Sequence, residues 1–256
     1  MPDILLHAPL AGATLAIMFL AIAVAYVIFG IAGFGTALLA GPVLVYYMPL
    51  SQAISLLVLL DCVAAFGKLV RSHRNVVPSE LARLVPFMAI GSVAGVTVLL
   101  NTNSDSLLLM MGCFVTLYAL YRLARPVRTS DLPAIWAAPL GIGGGLFGAL
   151  FGSGGFLYAI YLNARIQTKE KVSSTQSTLI GISTLVRLTM LTMAGAYTDL
   201  SLVVTALYLL PAMFIGLWVG DHLHLRMSRD AFTTLINVII LVSGIALVYR
   251  ACLGGM

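Results

Sequence analysis

Charge is scarce in this sequence. Only 9% of its 256 residues are Asp, Glu, Lys or Arg, against about 25% in a soluble globular domain. With 61% hydrophobic residues and a mean hydropathy of +1.05, this deficit excludes a water-bathed fold and indicates a membrane protein. The net charge of +5 is no nucleic-acid footprint, because the basic residues lie in separate short connections and form no stripe. Cysteine is almost missing. Cys62, Cys113 and Cys252 stand singly in apolar runs without ligand spacing, and read as small core residues. Histidine is as rare: His7, His73, His222 and His224 fall at span edges, and His222 and His224 are two apart, which sends them to different helix faces. No HExxH or GxxxxGK motif occurs, so neither a metal, a cofactor nor ATP hydrolysis is expected. An enzyme is not expected either. The thiol of Cys62 adjoins Asp61, but successive helical positions diverge by about 100°.

What the chain does have is apolar runs of membrane length. About 20 such residues cross a bilayer as a helix. Eight runs qualify, near 11–29, 52–70, 82–100, 106–123, 134–151, 172–194, 202–221 and 231–250. The first lacks a basic leader and is too long for a cleaved signal, so it reads as a span. Two shorter runs, about 36–48 and 155–164, each follow a glycine-rich break.

The basic residues orient these runs, since connections rich in Lys and Arg stay in the cytoplasm. Lys68, Arg71, Arg74 and Arg83 form one group, and Arg122, Arg125 and Arg128 a second. Arg165, Lys169 and Lys171 form a third, and Arg226 and Arg229 a fourth. Connections near 101–106 and 195–201 hold Asp105 and Asp199 but no basic residue, and are read as external. Counting between these marks gives two units of five elements, 1–128 and 129–256, with the N-terminus outside. Five is odd, so the second unit enters the membrane upside down. The expected fold is an all-α, inverted-repeat transporter with eight full spans and two short glycine-broken helices.

The breaks are Gly30-Ile-Ala-Gly33-Phe34-Gly35-Thr36, leading to Gly41-Pro42, and Gly148-Ala-Leu-Phe-Gly152-Ser153-Gly154-Gly155. Shifted by 119 positions, Gly33 and Gly35 fall on Gly152 and Gly154, and Lys68 on Arg187. Helix interruptions within a bilayer are tolerated where they are buried or line a wet cavity. Paired interruptions at matching places in two halves point to a transporter's binding site. A lone glycine stretch would be read as close helix packing, as Gly143-Gly144-Gly145 is.

A short helix starting at a break offers free N–H groups and a positive dipole end to an anion. The candidate ligand-binding residues are therefore Gly33, Phe34, Gly35, Thr36, Gly152, Ser153, Gly154 and Gly155. Gln176 joins them from the polar ladder Ser173-Ser174-Thr175-Gln176-Ser177-Thr178, on which Ser173, Gln176 and Ser177 share a face. Ionisable residues deep in spans are costly and mark function. Arg187 is the candidate for attracting the anion, although snorkelling towards the membrane edge would also account for it. Asp61, the one carboxylate near mid-span, is the candidate for proton coupling.

Together, the motifs Gly30-Ile-Ala-Gly33-Phe34-Gly35 with Gly41-Pro42, and Gly148-Ala-Leu-Phe-Gly152-Ser153-Gly154-Gly155-Phe156, make the chain resemble the TauE/SafE sulfite exporter family along its whole length. Two positions depart from that pattern. Thr36 stands where a third glycine is usual, and Tyr161 where the second unit often has proline. The resemblance implies movement of sulfite, organosulfonates or related small sulfur-containing anions, often outward, across a bacterial inner membrane. Expected partners are that anion, the lipid bilayer and, optionally, a second copy as a homodimer. The competing expectations are a passive anion pore and a carrier of a non-sulfur organic anion.

Overall fold

The computed structural model describes residues 10–32, 35–72, 75–102, 132–198 and 200–223, with scattered positions from 106 to 120 and at 241 and 245. Among the described residues every regular element is helical. The helices are α1 (Leu10–Ala32), α2 (Thr36–Leu44), α3 (Leu50–Ser72), α4 (Pro78–Asn101), α5 (Ala137–Phe151), α6 (Gly155–Arg165), α7 (Lys169–Met193) and α8 (Leu200–Leu223). A single 3₁₀ turn, Ala134–Trp136, leads into α5.

Among the described residues, five stretches are long and apolar enough to cross a membrane: Gly12–Ile31, Leu50–Gly67, Pro78–Asn101, Ala134–Phe151 and Leu200–Gly220. They coincide with five of the expected spans and make this a multi-pass membrane protein. Large apolar side chains on their outer faces, among them Leu20, Phe66, Leu207 and Trp218, are exposed as a lipid-facing surface requires. The run expected to span at 172–194 is helical, as α7 of 25 residues, but is not among those five. It is less apolar than the five, and its polar residues are shielded: Ser174, Thr175, Gln176, Ser183, Thr184 and Arg187 are all buried. The expected spans at 106–123 and 231–250 fall largely outside the described residues.

The glycine breaks end helices as the sequence predicts. Gly35, at φ 97°, precedes α2, and Gly152, at φ 58°, closes α5 with its N–H on the Gly148 carbonyl at 3.0 Å. Both sit in the left-handed region that glycine alone enters without penalty. Helix boundaries keep the 119-residue spacing: Ala32 and Phe151 end helices, and Thr36 with Gly155, and Leu50 with Lys169, begin them.

Packing across the halves follows an exchange pattern. The two most extensive seams are α4 on α5 and α1 on α8, and each joins the first half to the second. Exchanging the halves turns one seam into the other. It also interchanges α4–α7 with α3–α8, α1–α2 with α5–α6, and α2–α3 with α6–α7, and leaves the central α3–α7 pair in place. Both seams are built on glycine. Gly91 and Gly95 of α4 face the backbone of Ile142 and Leu146, while Gly145 of α5 faces the Met88 carbonyl. Gly216 and Gly220 of α8 face the carbonyls of Ala23 and Val27, and Gly30 meets Gly220. A Cβ at any of these points would collide with main chain, so small residues set the approach of the helices.

Candidate functional site

The second break and the middle of the central helix pair enclose one small cavity. Phe29 of α1, Asp61 of α3, Gly148 of α5, Gly152 and Gly154 of the break, and Gly155 and Tyr158 of α6 line it, with Ile180, Ser183 and Arg187 of α7. Its volume is about 20 Å³, enough for about one water molecule.

Arg187 does not snorkel. It is buried, its Nη1 donates to the Gly148 carbonyl at 2.7 Å, and its Nη2 donates to Thr184 Oγ1 at 3.0 Å. Gly148 lies in the last turn of α5, at the negative end of its dipole, and its carbonyl accepts from both Gly152 N–H and the guanidinium. The break thus turns the C-terminus of α5 towards the guanidinium and opens α6 beside it. Arg187 Nε remains without a hydrogen bond although fully enclosed, and so does the hydroxyl of Tyr158. Ser183 lies beside that hydroxyl. Buried polar groups almost always find partners, so two unmet donors on residues that line one cavity point to a ligand oxygen there.

Asp61 lies in the first half of the chain and is also buried. Tyr26 of α1 donates to its Oδ1 at 2.8 Å and Thr36 of α2 to its Oδ2 at 3.2 Å. Asp61 and Arg187 line the same cavity without forming an ion pair. The first break therefore reaches the cavity through Thr36 and Asp61. The two breaks also touch: a Cβ on Gly152 would come within 2.8 Å of the Ala37 Cβ, in the first turn of α2.

Of the residues singled out from sequence, Gly152, Gly154, Gly155, Arg187 and Asp61 come together around this cavity. Thr36 is one hydrogen bond away, and Gln176 donates to the Gly155 carbonyl at 3.2 Å, bracing the start of α6. Ser153 turns its hydroxyl back to the Phe147 carbonyl at 3.4 Å. Gly35 is buried at the turn into α2 and does not line the cavity. Gly33 and Phe34 lie outside the described residues. On the polar ladder Ser173 is exposed, and the inward face runs through Gln176, Ile180, Ser183, Thr184 and Arg187.

The sequence model of the family described as TauE: Sulfite exporter TauE/SafE matches residues 18–247. The chain belongs to the TauE/SafE family. That stretch takes in both glycine breaks and every residue of the cavity. No curated protein and no solved structure matches the chain. Membership of TauE/SafE makes it a membrane transporter of the sulfite or sulfur-anion exporter type.

Several cavity residues of this TauE/SafE chain were not foreseen. Phe29, Tyr158, Ile180 and Ser183, and Tyr26 behind Asp61, are ordinary constituents of apolar runs, and nothing in their spacing distinguishes them from core. A second charged cluster was hidden differently. Glu80, in the first turn of α4, is buried and takes Arg83 Nη1 at 2.7 Å, Arg165 Nη2 at 3.0 Å and the Tyr161 hydroxyl at 2.8 Å. Arg165 also donates to the Leu132 carbonyl at 3.0 Å. From sequence, Arg83 and Arg165 served only as topology markers.

Proposed function

We propose that this chain is a secondary transporter carrying sulfite or a related small sulfur-containing anion outward across a bacterial inner membrane. The observation that carries this reading is the buried Arg187, which lines the cavity beside the glycine break and keeps its Nε unpaired. A buried cation with a spare donor attracts an anion and fixes its orientation. Gly152, Gly154 and Gly155 let the ligand approach the backbone, Gln176 holds the α6 start, and Thr36 acts through Asp61. Gly35 and Ser153 shape the turns into α2 and α6.

The two units are 1–128 and 129–256, inserted in opposite senses, with the remaining spans at 106–123 and 231–250. The 119-residue register of helix ends and the exchange pattern of packing support this. Alternating access then follows from rocking one unit on the other about the central α3–α7 pair. The cavity is closed down to about one water in this state, which favours a carrier over an open pore. A monovalent anion leaving a cell that is negative inside gains about 2.3 kcal/mol per 100 mV. Asp61, facing the same cavity, is the site of proton coupling.

Reconstitution in proteoliposomes tests this reading, with uptake of sulfite, sulfoacetate, taurine and thiosulfate followed at several pH values. Saturable sulfite flux with counterflow is expected. Unsaturable flux without counterflow would make the protein a pore, and flux of none of these anions would end the sulfur-anion assignment. Arg187→Gln is expected to weaken apparent sulfite affinity at least tenfold, since hydrogen bonds to charged groups contribute about 1.5–3 kcal/mol.

A further inference from the structure

Resting on that reading, we propose that the cavity takes its anion in singly protonated form. The anion's own O–H is donated to Asp61, and its other oxygens accept from Arg187 Nε and the Tyr158 hydroxyl. Donors and an acceptor meet at one cavity. Arg187 and Tyr158 line it, and each has a buried donor without a partner. Asp61 brings a carboxylate that makes no ion pair with Arg187. A carboxylate offers about four acceptor positions. Tyr26 and Thr36 occupy one on each oxygen, which leaves acceptor capacity on the carboxylate.

A fully ionised anion in this cavity would set its oxygens against the Asp61 carboxylate with nothing between them. An anion that keeps one O–H converts that repulsion into a charge-assisted hydrogen bond. Sites built to pair a substrate hydroxyl reject the isostere that lacks it, because a buried group is then left unmet. Hydrogen sulfite in its O–H form satisfies the donors and the acceptor alike, and a sulfonate of the same charge cannot. The proton thus crosses on the anion, and Asp61 is the residue that requires it to be there.

The groups around Asp61 are few. Tyr26 faces it from α1 and Thr36 from α2, with Arg187 of α7 and Tyr158 of α6 lining the same cavity. On α3 itself Cys62 is adjacent, and the described titratable side chains of α8, Tyr208 and His222, are exposed.

The test uses two competitors of equal shape and equal single charge, hydrogen methylphosphonate and methanesulfonate, of which only the first carries an O–H. Each is titrated against sulfite flux in proteoliposomes of the full chain at mildly acidic pH. The ratio of the two inhibition constants is read, so that sulfite's own titration cancels. Hydrogen methylphosphonate is expected to compete about tenfold better, as a lost buried hydrogen bond to a charged group predicts. The preference should fall to near parity in Asp61→Asn and return in Asp61→Glu. Equal competition by the wild type, or a preference that Asp61→Asn leaves intact, overturns the proposal. Arg187-dependent sulfite flux in that same experiment would keep the broader transporter reading standing. Sulfite flux and competition unaffected by Arg187→Gln would sink both together. Should Asp61→Asn fail to fold, the wild type alone decides. Methylphosphonate must lose potency at mildly alkaline pH as it sheds its proton, with methanesulfonate as the level reference, and a gain in potency refutes the idea.

Discussion

Asp61 and Glu80 are both buried carboxylates on consecutive long helices, yet only Glu80 has cations within ion-pair distance. Arg83 and Arg165 close on it at 2.7 and 3.0 Å, and Tyr161 adds a third donor. Asp61 has hydroxyls alone, while the nearby Arg187 spends two of its nitrogens on Gly148 and Thr184 and keeps one free. The first arrangement pairs its carboxylate within the chain, although Arg165 Nε, like Arg187 Nε, is left without a partner. It ties the start of α4 to the end of α6, two elements of different halves. The second leaves opposite charges in one cavity without letting them neutralise each other. A charge pair that is closed serves as a clasp, whereas one held apart keeps its field available for a third party.

Breaking the closed side of this comparison should have the largest structural effect. Glu80→Ala removes the shared acceptor and strands Arg165 in a mostly buried position. Losing one member of a buried ionic cluster costs about 3–5 kcal/mol, and the half-exposed Arg83 places this case near about 3 kcal/mol. A drop in the melting temperature of the detergent-solubilised protein measures it, with the apparent sulfite affinity of the surviving folded fraction unchanged. A melting temperature equal to that of Asp61→Asn would erase the distinction drawn between the two carboxylates.

The open side is sharpened at its glycines. Gly152→Ala forces a side chain into a left-handed backbone, at about 1–2 kcal/mol, and drives a methyl against Ala37. The α2–α5 contact must widen, so both stability and transport should fall, by about 2 kcal/mol or more for the former. Gly35→Ala meets open space and carries the backbone term alone. Its loss should be the smaller of the two in a side-by-side thermal melt. The mildest change is Tyr161→Phe, which takes one of three donors from Glu80. About 1 kcal/mol is expected there, with sulfite transport retained in the same vesicle assay.

How much of this was legible depends on the kind of residue. Asp61 and Arg187 could be found because ionisable groups are conspicuous in apolar runs, and the breaks because glycine and helix are at odds. The 119-residue register then placed α2 and α6 at their first residues. Tyr26, Tyr158 and Ser183 could not be found, since a tyrosine or serine in a span is equally at home in core, interface or site. Only the rotation of α7 about its axis decides that Ser183 faces inward and Ser173 outward. Glu80 was masked by its neighbourhood. Among so many cations at the presumed cytoplasmic edge, a single acid looks solvated until its burial is seen.

The glycine seams carry a further consequence. Each half offers a long bare face, Gly91 and Gly95 on α4 or Gly216 and Gly220 on α8, that is covered only by a helix of the other half. On the two-unit reading, neither half is a finished protein. On that reading a lone unit would have to pair with a second copy of itself to cover that face, and the chain would be such a pair made continuous, with Asp61 in one member where the other holds Ile180.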